Sequence, residues 1–134
     1  MNGSPKIVID TNIIFMAWYN PFGKCAEVIR KARQNKIQLF SSDSVKKEIF
    51  RVFKRHGLNE DEIKEFLNDI PITWVEKEVY ESVLNRTKVK HKADKPVETV
   101  ALILECDILS ANKHFRDAKN IDKLLKEIEN EDEK

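Results

Sequence analysis

Three carboxylates stand where secondary structure can gather them. Asp10 ends the apolar, β-branched run Ile7-Val8-Ile9, Glu48 lies in a helical stretch after a second apolar run, and Asp94 comes just ahead of Pro96 and a further apolar helix. Carboxylates brought together repel one another, so the cluster is stable only if some are protonated or a cation sits among them. Hard oxygen donors of this kind suit Mg²⁺ or Mn²⁺. Each acid also has a plainer use. Asp10 and Asp94 are placed to cap helix starts, with their carboxylates on free backbone amides. Glu48, flanked by Lys46, Lys47 and Arg51, reads by itself as a helix-surface glutamate. Glu98 follows Asp94 by four residues and so shares its helical face, as an auxiliary ligand or outer-shell group. The histidines His56, His91 and His114 form no evident triad with a nucleophile.

The elements that must position these acids alternate along the chain. Residues 6–9 read as a buried strand and Ile37 to Phe40 as a second; Ile72 to Val75 and Ile108 to Ser110 follow. Between them, helical spacing appears in 12–18, 22–36, in the stripe Val45-Ile49-Val52-Phe53 up to Gly57, from Asn59 through Ile63, Phe66 and Leu67, in 76–85 with Val79, Val83 and Leu84 inward, and in Val97-Val100-Ala101-Leu104. Ser41 and Ser42 both offer N-caps to the third helix. Such alternation implies an α/β fold, a single domain with a mostly parallel central sheet of about four to five strands flanked by helices. One domain over 1–134 is expected, frayed at 1–5 and about 129–134. Trp18, Tyr19, Phe22 and Trp74 punctuate apolar segments and most of them are assigned to core or helix packing, despite the capacity of aromatic faces to stack on bases.

A chain of 134 residues with 41% apolar content can bury a core without disulfides or a structural metal. Cys25 and Cys106, far apart on apolar helical stretches, read as reduced core thiols. The first residues lack the apolar run of a signal peptide and no stretch could span a bilayer, which predicts a cytoplasmic protein without a membrane partner. The net charge of +1 conceals a mildly basic body, because four acids and one lysine fall in 129–134 and leave +4 on the rest. Arg86, Lys88, Lys90, His91, Lys92 and Lys95 crowd around Asp94. Charge alone describes a solvated loop, yet it also suits phosphates beside an acidic site.

Ile7-Val8-Ile9-Asp10-Thr11-Asn12, the segment from Ser41 to Ile49, and the run from Asp94 through Ala101-Leu102 to Phe115 together resemble a PIN domain, the small metal-dependent nuclease module of toxin–antitoxin toxins and RNA-processing factors. Order and spacing fit over nearly the whole chain. The resemblance implies a PIN-like fold and a Mg²⁺- or Mn²⁺-dependent endoribonuclease acting on single-stranded RNA. Asp10, Glu48 and Asp94 would be the metal ligands, with Thr11, Asn12 and Ser110 as auxiliary groups and Lys88, Lys90, Lys92 and Lys95 on the RNA. It also implies a homodimer neutralised by an antitoxin protein. One position departs from the family pattern: Asn112 stands where an aspartate is usual. An amide oxygen can ligate a metal or orient water but carries no charge, so the alternative expectation is a weakened PIN fold serving as an RNA-binding or scaffolding module.

Overall fold

Ile7, Val8 and Ile9 are β-branched and almost wholly withdrawn from solvent, which makes strand β1 (Lys6–Ile9) the centre of the sheet. In the computed structural model, residues 4–80, 95–109 and 121–132 are described. Helices α1 (Thr11–Tyr19) and α2 (Lys24–Arg33) lead to β2 (Gln38–Ser42), then come α3 (Asp43–Arg55), α4 (Glu60–Asn68), β3 (Ile72–Val75) and α5 (Lys77–Tyr80). After these lie α6 (Lys95–Leu104), β4 (Asp107–Leu109) and α7 (Ile121–Asp132).

The four described strands pair in parallel in the order β3-β2-β1-β4, as the alternation of strands and helices predicts. From β1 the chain steps outward through β2 and β3, then returns to the other side of β1 with β4. The carboxyl end of β1 is therefore the point where the strand order reverses, the place where ligands bind in open α/β sheets.

Side-chain chemistry sets the helix boundaries. Ser42 Oγ accepts from the Val45 amide at 3.2 Å and starts α3, which Gly57 ends with φ +92°, a left-handed conformation suited to glycine. Asn59 and Glu62 form a reciprocal capping box at the start of α4, accepting at 2.8 and 3.0 Å from each other's backbone amides. Phe53, fully buried, packs its ring on Phe15, Trp18 and Phe66 and so joins α3 to α1 and α4.

Several expectations shift. Strand β2 runs two residues past Phe40, because Ser41 and Ser42 pair with Trp74 and Val75 of β3. Val79, expected inward, is 56% exposed, and of the expected 76–85 helix residues 77–80 are helical while 81–85 lie outside the described residues. Tyr19, whose ring rests on Phe15 at the last residue of α1, and Phe22, in the turn after it, are exposed rather than part of the core, while Trp18 and Trp74 are half-buried. Helix α7 continues through 129–132, where fraying is expected. Among the described residues no helix is long and apolar enough to cross a membrane.

Candidate active site

Asp10 follows β1 directly and is only 6% exposed. Its Oδ1 accepts from the Ile13 amide at 3.2 Å, which caps α1 and sets the carboxylate in the positive field of a helix N-terminus. Capping and coordination are compatible on one carboxylate. The strand end that carries it is braced from the side: Ser41 Oγ donates to the Ile9 carbonyl at 2.7 Å, tying the ends of β2 and β1 together. Both serines offer a capping hydroxyl in the sequence, but Ser42 alone caps α3 and Ser41 takes the bond to Ile9. The usable signal was the second hydroxyl of a Ser-Ser pair closing a strand, since one cap leaves the other free to bond elsewhere.

Thr11 is buried beside Asp10, and Asn12 is exposed in the first turn of α1. The half-buried Cys25 thiol, in the first turn of α2, is raised above its usual pKa by burial first and then by the negative charge of Asp10. Asp10 therefore acts electrostatically on the starts of two helices.

Helix α3 leaves β2 without a loop, so its first turn stands on the same edge. Glu48 is half-buried and lies five residues into it, about 8 Å along the axis from Asp43. Glu48, Val52 and His56 follow one another at i, i+4 and i+8 beside the buried stripe Val45-Ile49-Phe53. His56 packs on Phe15 at 4.8 Å and on Trp18 at 6.4 Å, so this flank of α3 faces α1. Glu48 sits two turns before His56, nearer the start of α3. Asp43 accepts instead from the Lys77 amide at 3.1 Å and fixes the start of α5.

Two further described elements open or end at this edge. Strand β4 ends at Leu109, in register with Ile9. Helix α6 packs on β1 and β2 and passes into β4 through a short turn, so it runs against the strands and begins with Lys95 at their carboxyl ends. Lys95 and Glu98 lie on α6, but their side chains fall outside what is described. Asp94, Ser110, Asn112, Lys88, Lys90 and Lys92 lie outside the described residues. Among the described residues no group of three or more His, Cys, Asp or Glu side chains is arranged to hold a metal ion. The donors that are described, Asp10 and Glu48 with the Thr11 hydroxyl nearby in sequence, are hard oxygens of the type that Mg²⁺ or Mn²⁺ takes.

Residues 6–126 match the family model described as the PIN domain. The chain belongs to the PIN domain family. No curated protein matches the sequence. Among solved structures, this PIN domain resembles a chain in the crystal structure of VapBC2 from Rickettsia felis bound to a DNA fragment from their promoter. The TM-score is 0.57 at 12% identity, over 83% of this chain and 91% of that one, a likeness of fold.

Proposed function

We propose that this PIN domain is a metal-dependent endoribonuclease that cleaves phosphodiester bonds of single-stranded RNA, with Asp10, Glu48 and Asp94 as ligands of Mg²⁺ or Mn²⁺ and Asn112 as a polar fourth position. The observation that carries this reading is the buried Asp10 carboxylate at the point where the strand order reverses. A divalent cation bound there would activate a water and neutralise charge developing on the phosphate. The residues of this chain do the rest. Asp10 is held in one orientation by the Ile13 amide, and Ser41 fixes the strand end beneath it. Glu48 would supply a second carboxylate from α3, the helix that follows β2 directly. Ser110 contacts phosphate or an outer ligand, and Lys88, Lys90, Lys92 and Lys95 draw RNA to the site without reading its bases.

The VapBC2 neighbour supports a further part of the proposal, that the chain is the toxin of a toxin–antitoxin pair, a homodimer restrained by an antitoxin in the cytoplasm. Asn112 supports a second reading, a PIN fold that binds RNA with little or no turnover. Cleavage of single-stranded RNA with Mn²⁺ titrated in, and its loss in Asp10→Asn, tests the first. RNA binding without cleavage at any Mn²⁺ concentration selects the second.

A further inference from the structure

Charge is unevenly placed on α3, whose sequence holds Lys46, Lys47, Arg51, Lys54 and Arg55 against only Asp43 and Glu48. Asp43 is taken by the Lys77 amide, and Lys46 lies over the Trp74 ring at 5.7 Å from its centre. The other four cations, Lys47, Arg51, Lys54 and Arg55, recur at i, i+4, i+7 and i+8, which sets them on one face, turned away from the buried stripe Val45-Ile49-Phe53 and from α1. All four are exposed, and among the described residues no ion pair engages any of them.

A helix face that merely meets water interleaves its charges, and elsewhere this chain does so. Helix α2 sets Glu27 against Arg30 and Lys31, and α4 sets Glu60 against Lys64, all at i, i+3 or i, i+4 spacing. On the outer face of α3 the i, i+4 pairs, Lys47 with Arg51 and Arg51 with Arg55, are like-charged, which weakens a helix instead of supporting it. An external anion would relieve that repulsion. Every exposed side chain of α3 is a cation, so the face lacks the apolar anchor on which protein interfaces centre and is rich in the lysine that they avoid. Lys47, Arg51 and Arg55 follow one another at ~6 Å intervals along the axis, a repeat suited to the successive phosphates of an extended strand.

We infer that the outer face of α3 binds the phosphate backbone of single-stranded RNA through Lys47, Arg51, Lys54 and Arg55, positioning the strand without reading its bases. The choice of RNA rests on the nuclease reading, whereas the affinity for a polyanion is a property of the face itself. The two are joined in the fold: α3 follows β2 without a loop, so the Lys47 end of the face lies toward the carboxyl edge of the sheet, next in sequence to Glu48.

The test separates the two claims. Binding of a fluorescent single-stranded 12-mer oligouridylate is measured by anisotropy in EDTA, where metal-dependent cleavage is silent, across a range of salt. Arg51→Ala with Arg55→Ala is expected to flatten the log–log slope by about 1.4, and the further changes Lys47→Ala and Lys54→Ala to bring the loss to about 2.8, at about 0.7 per phosphate contact. Arg51→Lys with Arg55→Lys should keep the slope. Lys24→Ala with Lys64→Ala, which removes two exposed cations that α3 does not carry, should leave it within about 0.3 of the parent. The replaced side chains are exposed, and urea unfolding at low salt should show the fourfold variant at least as stable as the parent, because like charges at i, i+4 are gone. A parent-like slope in the fourfold variant overturns the proposal, as does an equal loss in the Lys24 and Lys64 control or absence of RNA binding by the unmodified chain. Polyglutamate that displaces the RNA at lower concentration than unlabelled oligouridylate also overturns it, in favour of an acidic protein partner. Failure of Mn²⁺-dependent cleavage with the binding results intact would instead refute the nuclease reading and leave the RNA-binding face standing.

Discussion

Asp10 carries two duties that substitutions can separate. Asparagine is as good an N-cap as aspartate, so Asp10→Asn should keep the bond from the Ile13 amide while deleting the charge, whereas Asp10→Ala deletes both and should cost about 1 kcal/mol of stability. Cleavage should be lost in both variants and urea stability only in the second. Equal destabilisation would mean that the charge, and not the cap, holds α1. The same Asp10→Asn change removes one of the two causes that raise the Cys25 thiol, so Cys25 should ionise at lower pH and alkylate faster. Cys106, pushed up to about 11 by burial first and then by Asp107, is the internal control and should not respond. Asn112 offers the opposite experiment. Asn112→Asp adds a negative charge to the proposed ligand set, so Mn²⁺ affinity by calorimetry should rise and cleavage with it, while stability without metal should fall as like charges crowd. Unchanged affinity and activity would place residue 112 outside the site.

At the level of elements, the site depends on how α1 and α3 lean on each other. Phe53 is the joint between them, fully buried and in contact with rings from α1 and α4. Phe53→Ala should cost roughly 3–5 kcal/mol in urea unfolding, a large share of the ~5–15 kcal/mol typical of a domain. A cost below about 1 kcal/mol would show that the helices close over the cavity and that the joint is soft. Ser41 has a comparable place on the sheet, since its bond to the Ile9 carbonyl fixes the strand end from which Asp10 projects.

At the scale of the whole molecule, the proposed site sets a cluster of acids that would call for a cation beside a basic run that would favour a polyanion. Neutralising Lys88, Lys90 and Lys92 together should lower RNA affinity and flatten its log–log salt dependence by up to about 2. A slope that stays unchanged would return that run to an ordinary solvated loop.

Local pattern determined a good deal of this protein. Strand β1 was legible because three β-branched residues in a row have few other uses, the stripe of α3 because Val45, Ile49 and Phe53 recur at helical spacing, and the stop at Gly57 because glycine tolerates positive φ. The parallel sheet followed from alternation, and the family from three short segments in order. Other features depend on contacts between residues distant in sequence, which no local spacing encodes. Only the fold shows that β4 returns to the far side of β1 and makes the end of that strand a switch point, that Ser41 bonds to Ile9, and that His56 turns one flank of α3 toward α1. Exposure of Tyr19 and Phe22 was misjudged for the same reason: an aromatic residue in an apolar run is buried only if a neighbouring element covers it, and that cover is decided by tertiary packing.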